Sequence, residues 1–172
     1  MGLQYLEVIS KVPDALTQMV YHIIDGKTSI VNKPKELHEF CNLYFHHSLE
    51  TINESVDVVH IGSTLQYIEE WQGLLKELDV RYQPEYFVFS DLLAGDVPTF
   101  VSHQIFYDKK IPHLFINLSE FINFMREKVN MNVLFQTKFI RAILNQEDIF
   151  PNQALPESHR IDRSYSLVFR RK

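Results

Sequence analysis

The sequence predicts an α+β fold in a single domain over residues 1–172: N-terminal helices followed by a small, largely antiparallel sheet with C-terminal helices packed on it. Three observations predict it. The 172 residues are 45% hydrophobic, enough to bury one core and too few for two ordinary domains. Apolar spacing is helical up to about residue 80 and gives way to aromatic and β-branched runs beyond it. Glycine (5) and proline (7) are sparse while aromatics reach 13%, the composition of a packed chain.

The elements follow in order. From Pro13, Leu16, Met19, Val20, Ile23 and Ile24 fall at i, i+3, i+4, i+7 and i+8, which predicts an amphipathic helix stopped by Gly26. Gly26-Lys27-Thr28 matches the end of a phosphate-binding loop. The first glycine of that loop would have to be residue 21, which is Tyr21, and the segment leaves a helix where a phosphate loop enters one. A second helix is expected from Pro34 to about Asn53, with Leu37, Phe40, Cys41, Tyr44 and Ile52 on one side. Residues 56–61, VDVVHI, read as a short buried strand or extended connector. GSTLQYIEEWQGLLKEL then opens a helix with Leu65, Ile68, Trp71, Leu75 and Leu78 on its stripe.

Residues 85–93, 97–107 and 111–118 read as strands, the last two flanking a hairpin at Asp108-Lys109-Lys110. A two-residue loop there collects Val101, Ile105, Tyr107, Leu114, Ile116 and Leu118 on one face, and is the preferred register. Ser119 is expected to cap a helix through about Val129, and another helix to span about 133–145 through Leu134, Phe135, Phe139, Ile140, Ile143 and Leu144. The basic segment 158–172 ends in RSYSLVF and FRRK and reads as a closing strand.

The string VVHIGST resembles the opening of the glycine-serine motif of nucleotidyltransferase-type domains over about six residues. That family would imply acidic metal ligands on an adjoining strand. Here LQYIEEW follows on an apparent helix, where neighbours Glu69 and Glu70 diverge, and Ser63 with Gln66 fits a capping box. His38 and Cys41 stand at i, i+3 on the expected second helix, but adjacent His46 and His47 point apart and no third ligand converges, so no metal site is predicted. Cys41 lies on the apolar stripe, without the electropositive setting that activates a thiol. Asp91 and Asp96, in DLLAGD, read as solvated turn acids.

Charge and the absence of a site signature carry the functional expectation. The net charge is −5; residues 158–172 hold five basic residues against Asp162, a local +4, which leaves −9 on residues 1–157. An acidic body argues against nucleic acid as a ligand. One cysteine excludes an internal disulfide, and no apolar run reaches the roughly 18 residues of a membrane span, which point to a cytoplasmic protein with no membrane association. The expectation is a non-catalytic protein-interaction module, an adaptor, inhibitor, immunity factor or secretion chaperone. Its partner would be another protein or a second copy in a homodimer, and no cofactor is called for. Binding residues would be Tyr82, Tyr86, Phe87, Phe89, Arg170 and Arg171. The alternative is a small-molecule sensor or enzyme whose aromatic pocket is lined by His103 and His113.

Overall fold

The computed structural model describes residues 3–12, 14–25, 41–139, 142–143, 146–147 and 152–172. The chain forms two compact units, Met1–Glu54 and Ser55–Lys172.

In the first unit, helix α1 (Leu3–Lys11) and the short α2 (Ala15–Gln18) precede strand β1 (Tyr21–Ile24), which pairs in parallel with β2 (Leu43–His46). Tyr5 is fully buried, and its hydroxyl donates to Asn42 Oδ1 at 2.6 Å. The helix expected from Pro13 to Ile24 therefore ends early. Met19 is extended, and Val20-Tyr21-His22-Ile23-Ile24 is a run of β-branched and aromatic residues, in which a buried parallel strand and an amphipathic helix carry the same apolar pattern. Gly26 and residues 34–40 of the helix expected at 34–53 lie outside the described residues. The described remainder of that segment is β2 and a 3-10 turn, Leu49–Thr51.

In the second unit, β3 (Val58–Gly62), a 3-10 turn (Leu65–Tyr67), α3 (Trp71–Tyr82) and β4 (Tyr86–Leu92) make a β-helix-β unit, with β3 and β4 parallel from Val58↔Tyr86 to Gly62↔Ser90. α3 forms because Trp71, Leu75, Leu78 and Tyr82 repeat at helical spacing and are all buried. It stops at Gln83, whose φ of 46° is left-handed, ahead of Pro84. The short β5 (Ala94–Gly95) follows, then the hairpin β6 (Phe100–Phe106) and β7 (Lys109–Asn117). Next come α4 (Leu118–Lys128), β8 (Met131–Lys138), the short β9 (Ala142–Ile143) and β10 (Gln146–Glu147), and the closing β11 (Tyr165–Arg171).

The main sheet runs β3-β4-β11-β8. β11 is antiparallel to both β4 and β8, so β3, β4 and β8 share one direction with β11 inserted against them. A smaller sheet runs β5-β7-β6, with β5 and β7 parallel. The expected α+β fold with a largely antiparallel sheet is thus corrected to α/β. Parallel neighbours require a crossover connection, and α3 supplies it between β3 and β4 as α4 does ahead of β8. The helix expected at 133–145 is instead β8 over its first part. Asn132-Val133-Leu134-Phe135 finds a distant partner in β11, with Phe135 opposite Val168, and that pairing overrides local spacing.

Aromatic packing holds α3 and α4 on the sheet. Phe89 meets Phe121 edge-on at 5.0 Å and Phe169 at 5.8 Å, while Trp71 lies 4.9 Å from Phe124 and 5.3 Å from Phe121. A second cluster gathers Leu93, Val97, Phe115 and Ile161 beside β5. Gly95 is required there, since a Cβ would stand 2.7 Å from Ile161 Cγ2. The cap of α4 is Asn117, whose Oδ1 accepts from the Glu120 amide at 2.9 Å, in place of the expected Ser119.

Candidate functional site at the strand ends

Two adjacent parallel strands, β3 and β4, run out at their carboxyl ends into Ser63 and Asp91, both non-glycine residues in the left-handed region (φ 49° and 55°). Such backbone costs on the order of 1–3 kcal/mol, so surrounding contacts must hold it. They are present. Ser63 Oγ donates to Asp91 Oδ2 at 2.8 Å, and the Ser63 amide donates to the Ser90 carbonyl at 2.9 Å. Ser164, just ahead of β11, donates to Asp91 Oδ1 at 2.6 Å. Asp91 and Ser164 are each 4% exposed. The Asp91 carboxylate therefore ties together the ends of β3 and β4 and the start of β11, and it fixes the path of residues 63–67. This corrects the reading of Asp91 as a solvated turn acid; Asp96 is exposed as expected.

The turn Leu65–Tyr67 follows directly. Leu65 and Gln66 point inward, and the buried Gln66 Oε1 has no hydrogen-bond partner among the described residues. Tyr67 stays half-exposed and stacks on His113 of β7, with ring centroids 5.3 Å apart and planes within 17°. Its hydroxyl reaches Gln104 Oε1 of β6 at 3.5 Å. Behind the turn, His60 Nε2 lies 2.8 Å from Ser90 Oγ, and partial desolvation holds this imidazole below its ordinary pKa. The expected capping box is absent: the Ser63 hydroxyl is committed to Asp91, and the helix starts only at Trp71.

The first unit carries a separate polar chain. Thr51 spends its hydroxyl proton on the Ser48 carbonyl, so it accepts from His46 Nδ1 at 2.8 Å. His46 Nε2 lies 2.9 Å from His22 Nδ1, and Glu54 lies 3.6 Å from the other nitrogen of His22. Among the described residues, no group of three or more His, Cys, Asp or Glu is placed to hold a metal. His38 lies outside them, and Cys41 is exposed rather than in a core.

The residues expected to bind are scattered. Phe87 and Phe89 are core, 0% and 1% exposed, and Tyr82 is buried on α3. Tyr86 is brought together with Arg170, whose guanidinium sits 5.7 Å from the ring and pairs with Glu85 at 3.1 Å. Arg171 donates to Asp79 at 2.6 Å and to the Pro84 carbonyl at 2.9 Å, which docks the end of β11. The hairpin turns on two residues, Tyr107-Asp108, ahead of the expected Asp108-Lys109-Lys110, since Lys109 and Lys110 belong to β7; His103 opposite Pro112 and His113 opposite Ser102 lie on opposite faces. The face expected to form its core is divided: Leu114 and Ile116 are buried, whereas Val101, Ile105 and Tyr107 are exposed. Sequence reading singled out VVHIGST but missed its partner. The available signal was a strand ending in Gly-Ser followed, one helix later, by a second strand ending in Ser-Asp.

No family model matches the chain, and no curated protein matches it by sequence. Solved structures do match. A protein of Listeria monocytogenes, provisionally assigned as an S-adenosylmethionine-dependent methyltransferase, aligns over 98% of this chain and 98% of its own with a TM-score of 0.64 at 12% identity. A chain of the complex between the Haloferax volcanii Trm112 methyltransferase activator and a provisionally assigned methyltransferase gives a TM-score of 0.63 at 14% identity, over 98% of this chain and 77% of that one. Magnesium protoporphyrin IX methyltransferase of Synechocystis PCC 6803, solved with bound SAH, gives 0.56 at 10% identity over 94% and 68%. A protein partner is compatible with this fold, and no described helix is long and apolar enough to cross a membrane. The expectation of a non-catalytic adaptor or inhibitor is corrected here: it rested on finding no site signature, and the chain instead shares the mixed-sheet α/β fold of S-adenosylmethionine-dependent methyltransferases.

Proposed function

We propose that this chain serves a group-transfer enzyme of the S-adenosylmethionine-dependent methyltransferase type, with its reaction at the carboxyl ends of β3 and β4. One observation carries the reading: Ser63 and Asp91, both left-handed and joined side chain to side chain, end adjacent parallel strands. In open α/β sheets ligands settle outside the carboxyl ends of the strands, and strained backbone held by its surroundings concentrates at functional sites.

A net −9 over residues 1–157 suits a sulfonium cation. When bound, S-adenosylmethionine would supply an electrophilic methyl group. The chain's own part is positional: Asp91 fixes residues 63–67, Leu65 anchors the turn from inside, and Tyr67 with His113 forms an aromatic wall. A protein activator is compatible with this role, since the Haloferax volcanii relative in fold was solved with one.

Calorimetric titration of S-adenosylhomocysteine (SAH), paired with transfer of labelled methyl from S-adenosylmethionine, tests the reading. Wild-type protein is expected to bind SAH, and Asp91→Ala to lose most of that binding. No heat of binding in folded wild-type protein would remove the cofactor from the account.

A further inference from the structure

We infer that the Leu65–Tyr67 turn carries a recognition site for a planar nitrogen heterocycle bearing an N–H donor, read by the Gln66 carboxamide and stacked on the Tyr67–His113 pair. The inference deepens the proposed function, and rests on it only for which ring is bound.

Gln66 is 5% exposed, and its Oε1 is fully buried without a partner among the described residues. A buried carbonyl in that state is a cost that an apolar side chain of similar length would not incur. A donor arriving with a ligand removes that cost. The unpartnered carbonyl oxygen is an acceptor that the amino group of a heterocycle can satisfy.

The adjacent residue supplies the second half. Tyr67 is 48% exposed, and its ring lies nearly parallel to His113, which backs it as a stacking platform. Heteroaromatic bases stack on Tyr and His faces irrespective of their edge pattern. The turn is held before any ligand arrives: Leu65 is 1% exposed, and the preceding residue but one, Ser63, is bonded to Asp91. Stack and carboxamide thus divide the work, the first accepting any flat ring and the second selecting its edge.

The ring could be the adenine of an adenosyl cofactor or that of the methyl acceptor, and the experiment separates them. Adenine and 2-aminopyridine are titrated by ligand-observed NMR against purine and pyridine, which lack the amino group. Wild-type, Gln66→Met and Tyr67→Leu proteins are compared, with melting temperatures recorded without ligand. Wild type is expected to prefer the amino-bearing ring of each pair by about three- to tenfold, the worth of one hydrogen bond. Gln66→Met is expected to abolish that preference while melting no lower than wild type; Tyr67→Leu should weaken every ring and keep the preference. Competition by SAH would assign the ring to the cofactor, and undiminished binding in saturating SAH would assign it to the acceptor. Equal binding within each pair, or a Gln66→Met protein that melts several degrees lower, would overturn the inference. Wild-type protein that discriminates between rings yet binds no SAH would sink the cofactor reading alone.

Discussion

Individual residues hold the strand ends in place. Removing the Ser63 hydroxyl leaves Asp91 Oδ2 short of a donor at a site with 4% exposure, so Ser63→Ala is expected to cost about 1–3 kcal/mol in urea unfolding. A change within 0.3 kcal/mol would mean that water replaces the hydroxyl. His60 gives a pH test with a definite sign. Its folded-state pKa lies below the unfolded value of 6.5, so in that window the unfolded chain binds more protons and stability rises with pH. The contribution is fully present above about 6.5 and lost as pH falls through the lowered folded value; His60→Gln should flatten that part of the profile. Little of this was legible beforehand. Ser63 reads equally well as a helix cap, and nothing local to DLLAGD says that Asp91 is buried, because its partners Ser63 and Ser164 stand 28 and 73 positions away.

At the scale of elements, local pattern succeeds where one residue set admits one structure. α4, the two-residue length of the hairpin turn, β4 and the closing strand were legible, since Phe121, Ile122 and Met125 repeat as a helix and RSYSLVF alternates as a strand. It fails where an apolar run serves both periods, as at Val20–Ile24 and at Val133-Leu134-Phe135, where a distant partner decides. Packing makes the elements sensitive in unequal ways. Phe89→Ala, which loses edge contacts to both Phe121 and Phe169, is expected to destabilise by about 3–5 kcal/mol in chemical denaturation. Gly95→Ala drives a methyl against Ile161, and an overpacking cost of about 1–3 kcal/mol is expected. A neutral Gly95→Ala would show that β5 shifts freely.

Across the whole chain, the order of strands matters more than their number. The last strand, β11, fills the gap between β4 and β8 and supplies the hydrogen-bond partner of each. Its FRRK end, which as sequence reads as the basic end of a closing strand, is tied down through Arg171 to Asp79 and Pro84. A chain ending before Tyr165 is therefore expected to lose cooperative unfolding, read by circular dichroism, rather than merely a tail. The parallel direction of β3 and β4 was not legible because direction is set by the crossover, and the intervening turn and α3 read as one longer helix. Composition and net charge could not separate an interaction module from an enzyme, since both are acidic, aromatic-rich single cores. The broken local rules gather in one place: Ser63, Gln66 and Asp91 lie at one pair of strand ends. Amide chemical-shift mapping of the isotope-labelled protein during SAH titration tests that placement most directly. Saturable shifts centred on residues 62–67 and 91 are predicted. No shifts, or shifts confined to regions away from these strand ends, would contradict it.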